Sequence, residues 1–165
     1  MTLKGLVVAS HGRHCMVETP DGERRICHPR GKKNQVVVGD HVQWLASTDE
    51  GTIEKVEPRR NLFYRQDEIR TKSFAANLDQ VLILIAAEPE FSEMQLTRAL
   101  IAAEAEHIQP IIALNKSDLT EAFARSLARL MPYTHMGYTV LQLALKQHQM
   151  SDLVSRLHHK TTLVL

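Results

Sequence analysis
Over the first third of the chain, apolar residues come in short alternating runs broken by turn residues, the period-two signature of strands with one buried face. Residues 3–10 form one such run, His11-Gly12-Arg13 a turn and residues 14–19 a second run. Pro20-Asp21-Gly22 is a hairpin turn of the Asp-Gly kind, after which residues 23–28 return. A polar loop over residues 29–34 leads to Gln35-Val36-Val37-Val38 and a further turn at Gly39-Asp40. Residues 41–46 place Val42 and Trp44 on one face, and residues 52–56 close the set after Asp49-Glu50-Gly51. Five short strands within about 60 residues predict a small closed barrel, for which an OB-type barrel is the usual five-stranded form.

The pattern changes near residue 58. Residues 58–73 carry Arg59, Arg60, Arg65, Arg70 and Lys72 without a clean period and read as a basic linker or mobile loop. Beyond them strands and helices alternate. Residues 78–87 contain Val81-Leu82-Ile83-Leu84-Ile85, a run suited to a strand buried on both faces of a parallel sheet. Ser92-Glu93-Met94-Gln95 is a capping box, and the helix it opens carries Leu96, Leu100, Ala103 and His107 at spacings of four, three and four. A short apolar run follows and ends at Asn115. A second helix over residues 120–131 has Phe123, Leu127 and Leu130 on one face. Pro132 and Met136-Gly137 separate it from a strand over 138–143, a short helix over 151–158 and a strand-like end over 161–165. The expected fold class is therefore β plus α/β, with a barrel over residues 1–58, a basic linker over 59–74 and a partial parallel-sheet domain over 75–165.

Composition narrows the class. The hydrophobic fraction, 44%, is that of an ordinary globular protein, and no apolar run approaches the roughly 20 residues that span a bilayer. No membrane partner is expected, and with no signal-like amino terminus the chain reads as cytoplasmic. Two cysteines, Cys15 and Cys27, are too few for a disulfide framework and read as buried thiols on strands. Residues 1–75 hold 13 Lys and Arg against 10 Asp and Glu, and the rest 7 against 9, a mild asymmetry that favours a polyanion partner for the front half.

Chemistry concentrates in Asn115-Lys116-Ser117-Asp118, which ends the apolar run just before a helix. A carboxylate at the carboxyl end of a parallel strand can accept two hydrogen bonds from the ring N–H and exocyclic amine of guanine, a donor pair adenine lacks. Asn115 would brace the loop, and the Lys116 stem would lie over the ring. The same four residues also make a good polar turn, so both readings stand at this point. No Gly-x-x-x-x-Gly-Lys-Ser/Thr phosphate loop is present; the one Gly-Lys pair, Gly31-Lys32, lies between two barrel strands. His11, His14, Cys15, Cys27 and His28 are ligand-type residues, but neighbouring strand residues point to opposite faces, so no metal site is expected. Asp21, Glu23, Glu104 and Glu106 offer no convincing acid/base pair, and no catalytic residue is assigned.

The whole arrangement resembles the circularly permuted GTPases of the RsgA (YjeQ) type, which act in maturation of the small ribosomal subunit. The likeness runs through Val38-Gly39-Asp40-His41-Val42-Gln43-Trp44, Ala75-Ala76-Asn77-Leu78-Asp79-Gln80-Val81, residues 113–119 and Gly137-Tyr138-Thr139-Val140-Leu141. It implies that the α/β half is the first part of a permuted GTPase domain, with the base-reading tetrad ahead of the phosphate loop. It further implies that residues 161–165 lead into that loop and that the sequence stops just before it.

Nucleotide-binding residues on this basis are Asn115, Lys116, Ser117 and Asp118, with Ala144 and Leu145 where family members carry a Ser-Ala or Ser-Ser pair whose backbone N–H meets the guanine oxygen. Leu145 is bulkier than that pattern. The resemblance implies GTP or GDP with magnesium in the parent protein, zinc only in a carboxy-terminal domain, and the small subunit and its rRNA as partners. Arg24, Arg25, Arg30, Lys32 and Lys33 are the candidate RNA contacts, on a strand and loop where OB-type barrels hold nucleic acid. The expected function is a guanine-nucleotide-binding ribosome-assembly factor, this chain supplying barrel and base recognition without turnover of its own. The alternative is a non-catalytic OB-fold RNA-binding module with an α/β scaffold. Leu163-Val164-Leu165 would present an unpaired apolar edge, so self-association is expected unless something covers it; a monodisperse, cooperatively unfolding monomer would contradict this.

Overall fold
Five strands, β1 (Leu3–His11), β2 (His14–Glu18), β3 (Arg24–Pro29), β4 (His41–Ala46) and β5 (Gly51–Val56), close into a barrel in the order β1-β2-β3-β5-β4, with β4 returning to β1. All pairs are antiparallel except β3 with β5, the arrangement of an OB-type barrel. This computed structural model describes residues 1–31 and 35–165, which divide into two units, Met1–Asn77 and Leu78–Leu165.

Alternation places Cys15 and Val17, then Val42 and Trp44, inside the barrel with Val7, Cys27 and Ile53. A Cβ at Gly51 would lie 2.6 Å from a Trp44 ring carbon and 2.7 Å from Cys27 Sγ, so glycine there is what lets the indole fill the core. Gly39 has φ +91°, and a Cβ on it would meet the Ala76 carbonyl oxygen at 2.1 Å.

Cys15 and Cys27 face each other across β2 and β3 as buried free thiols. Burial, with a smaller contribution from the Cys15 sulfur, pushes the Cys27 thiol up to about 11. Because that value lies above the ordinary 9.0, the stability owed to the neutral thiol is complete below pH 9.0 and is lost as pH rises through about 11. Iodoacetamide at about pH 8 is expected to leave both thiols untouched in the folded chain and to label both after denaturation. Rapid labelling of Cys27 in the native barrel would contradict this.

Residues 59–74 are not an unstructured linker. They hold β6 (Leu62–Gln66) and most of β7 (Thr71–Ala76), an antiparallel hairpin in the first unit. Its period is hidden because a bulge between Phe63 and Tyr64 shifts the register and because Arg65 and Lys72 stand opposite each other among the apolar positions. Phe63, Ala75 and Ala76 are buried, and Ala75 bridges Val38 in parallel.

The second unit is a parallel sheet, β10-β9-β8-β11, of β8 (Gln80–Ala86), β9 (Gln109–Asn115), β10 (Thr139–Gln142) and β11 (Thr162–Val164). Helices α1 (Glu93–Ala105), α2 (Thr120–His135) and α3 (Ser151–Leu157) connect the strands. Ser92 Oγ accepts from the Gln95 N–H at 3.3 Å, the N-cap the sequence indicates. Leu96, Leu100 and Ala103 are buried, but His107 is exposed, past the helix end, with φ 55°.

Helix α2 runs a further turn beyond the Pro132 expected to end it. In the last turn, proline's missing N–H costs a single carbonyl bond on an exposed face. Gln80, buried at the start of β8, donates through Nε2 to the Arg156 carbonyl and Thr162 Oγ1, both at 2.9 Å, and so docks α3 and β11. β11 lies at the sheet edge with Val164 and Leu165 exposed, and no strand covers its outer side among the described residues. No helix among the described residues is long and apolar enough to cross a membrane.

Candidate guanine-recognition site
Strand β9 delivers the tetrad. Ile111, Ile112, Ala113 and Leu114 are buried between parallel neighbours, so the chain emerges at Asn115 at the carboxyl end of the sheet, where open α/β folds bind ligands. Asn115 is held on both sides: its carbonyl accepts from the Ala87 N–H at 3.1 Å, and its side-chain Oδ1 accepts from the Leu145 N–H at 3.0 Å. Lys116 adopts a left-handed φ of 69°, and its ammonium donates to the Glu88 carbonyl, which ties the tetrad to the loop after β8. The Ser117 N–H donates to the Leu143 carbonyl at 2.9 Å, and the Leu119 N–H to the Lys116 carbonyl at 3.0 Å.

Asp118 is exposed at the tip of this turn, and its carboxylate makes no hydrogen bond or ion pair among the described residues. Both carboxylate oxygens are free to take a pair of donors. The structure thus braces Asn115 and Lys116 internally and leaves Asp118 open.

The loop after β10 lies against the tetrad, and its amides differ in availability. The Ala144 N–H donates to the Gln149 carbonyl at 3.2 Å, and the Leu145 N–H is taken by Asn115. The Lys146 N–H lies within the first turn of the 3-10 helix Leu145–Gln147, where an amide has no partner in the turn itself. The Leu145 side chain packs against the cluster of Leu82, Ile111, Leu141 and Leu153, so its bulk is directed into the core. Sequence reasoning missed Glu88 and Gln149 because each acts through its backbone, which leaves no mark on residue identity.

On the barrel, the candidate RNA contacts stand in ion pairs. Arg24 Nε donates to Glu18 at 2.7 Å, Arg25 Nε to Glu23 at 3.2 Å and Arg30 to Glu54 at 2.5 Å. Lys32 and Lys33 lie outside the described residues. Nearby, Arg59 grips the fully buried Asp40 carboxylate through Nε at 2.7 Å and a terminal nitrogen at 2.8 Å, and the hydrogen bond to Asp40 raises the guanidinium's pKa.

Comparison with known proteins places these features together. The family model described as RsgA GTPase matches residues 56–165. A protein of Variovorax paradoxus, named "Small ribosomal subunit biogenesis GTPase RsgA", is 72% identical over 98% of this chain and 52% of its own length. One of the same name from Paraburkholderia xenovorans is 49% identical over 98% of this chain and 52% of its own. The crystal structure of YjeQ from Thermotoga maritima superposes with a TM-score of 0.74 at 28% identity, covering 99% of this chain and 60% of that one. The chain spans about half the length of the curated relatives it matches. With the family model matched over residues 56–165 and the barrel and parallel sheet aligned to a solved relative, the chain belongs to the RsgA GTPase family.

Proposed function
We propose that this chain is the guanine-recognising and RNA-binding part of a factor that assembles the small ribosomal subunit in the cytoplasm. The observation that carries the reading is the open Asp118 carboxylate beside an Asn115 and a Lys116 that are already committed to bracing. Asp118 accepts the guanine ring N–H and exocyclic amine, the Lys116 stem covers one ring face, and Ser117 fixes the turn. The base oxygen meets an amide of residues 144–146, of which Lys146's is the open one. Adenine presents neither donor pair nor oxygen, so it leaves the carboxylate unpaired.

Hydrolysis of GTP to GDP belongs to the parent protein, in line with the names of its relatives. Magnesium would accompany the phosphates there, and zinc would sit in a carboxy-terminal domain. The 165 residues contain no phosphate loop, so by themselves they turn over no GTP. The outer edge of β11 accepts either a further strand or a second copy of the chain.

Cosedimentation of the gene's full product with small ribosomal subunits tests the proposal. Association that responds to a GTP analogue and not to an ATP analogue supports it; an identical response to both refutes it. On the barrel, RNA phosphates must displace Glu18, Glu23 and Glu54 from their arginines, so binding is expected to be modest and steeply salt-dependent. Reversing Arg30, Lys32 and Lys33 to Glu is expected to weaken subunit binding by about tenfold or more. Unchanged binding would remove this surface from the interface.

A further inference from the structure
Three histidines stand side by side on three adjacent barrel strands. His11 and His14 are directly opposed across β1 and β2, and the pairing of Cys15 with Cys27 puts His14 beside His28 across β2 and β3. The ring centroids are 6.0 Å apart for His11 and His14 and 6.2 Å apart for His14 and His28. The alternation that excludes a mixed Cys–His site leaves these three together, because Cys15 and Cys27 point into the core and the histidines point out.

His28 supplies a second, independent observation. Its Nδ1 lies 3.3 Å from the Arg13 carbonyl oxygen and its Nε2 lies 2.8 Å from Glu50 Oε2. Both ring nitrogens therefore face acceptors, whereas a neutral imidazole has a single N–H to offer. One of the two acceptors is therefore left without an N–H, and a metal ion between Nε2 and the Glu50 carboxylate would satisfy both ring nitrogens.

We propose that His11, His14, His28 and Glu50 hold one borderline transition-metal ion, of the Zn²⁺, Ni²⁺ or Cu²⁺ class. Three imidazoles and one carboxylate are a donor set suited to such ions and poor for Mg²⁺ or Ca²⁺. With Nε2 on the metal, Nδ1–H would face the Arg13 carbonyl oxygen, 3.3 Å away, as an outer-shell contact holding the ring.

As the side chains stand, no three ligand groups converge on one point among the described residues. Two imidazoles on one ion have ring centres about 5 Å apart, given metal–nitrogen distances of about 2 Å. The rings here need to close by about 1 Å, which rotation of exposed side chains on opposed strand positions supplies. An ion so held would tie the β1–β2 turn to β3.

Titration of the folded chain with Ni²⁺ and Zn²⁺ by calorimetry tests the site, alongside the imidazole proton resonances in NMR. The expected result is one ion per chain, with shifts confined to His11, His14 and His28. His14→Ala is expected to weaken binding by about tenfold or more and Glu50→Gln by less, with circular dichroism confirming an intact fold. The double variant His158→Ala/His159→Ala removes the other close histidine pair, whose rings are 3.9 Å apart, and is expected to change nothing. Overturning results are no binding heat with the wild-type chain, affinity that survives His14→Ala, affinity lost in the His158/His159 variant, or resonance shifts outside the three barrel histidines.

Discussion

Arg59→Ala is expected to destabilise the barrel unit by about 3 kcal/mol, measured as the shift in a urea unfolding midpoint at constant slope. Asp40 is fully buried, and Arg59 supplies two of its hydrogen bonds; the Val37 N–H supplies a third at 2.9 Å. Removing the arginine leaves a buried carboxylate short of partners, which is costlier than losing an exposed ion pair. The figure sits at the low end for buried pairs because the Arg59 side chain keeps 26% of its exposure and stays partly hydrated. Asp40→Asn introduced beside Arg59→Ala should restore part of the loss, since no charge is then stranded. A cost for Arg59→Ala within about 0.5 kcal/mol of zero, the ordinary range for surface changes, would show that Asp40 is satisfied without it.

Asp118→Ala is expected to weaken GDP binding by the gene's full product at least a hundredfold. It removes two charge-assisted hydrogen bonds, together worth about 3 kcal/mol or more. Stability should move by less than about 0.5 kcal/mol, because the exposed Asp118 carboxylate makes no hydrogen bond or ion pair among the described residues. That separation of effects distinguishes base recognition from structural damage. Asn115→Ala is the contrasting case: it loses the bond to the Leu145 amide and loosens the 144–149 loop, so its effect on nucleotide binding is accompanied by lost order in that loop.

Elements whose signal is local were legible. The period-two runs of the five barrel strands, the Ser92 cap and the buried run ending at Asn115 each announce themselves within a few residues, and the structure places each of them so. The tetrad stood out for the same reason, as four residue identities in a row, and it lies at the carboxyl end of β9.

What escaped depends on partners distant in sequence or on backbone groups. Asp40 and Arg59 are 19 residues apart with no motif between them. The β6–β7 hairpin hid behind a bulge and cross-strand cations, so its apolar positions lost their period. Pro132 read as a stop because proline breaks helix interiors, yet within the final turn it disrupts little. Leu145 looked too large for its loop until the turn aimed it into the core, and the loop's free amide is invisible in any residue name.

The most direct test of base reading by Asp118 is a calorimetric comparison of GDP and xanthosine diphosphate on wild type and Asp118→Asn. An asparagine presents one acceptor and one donor where the aspartate presents two acceptors, so it suits xanthine's ring N–H and carbonyl in place of guanine's two donors. The account predicts that wild type prefers GDP and that Asp118→Asn reverses the preference. Equal loss of both nucleotides, or a GDP preference unchanged by the substitution, would contradict it.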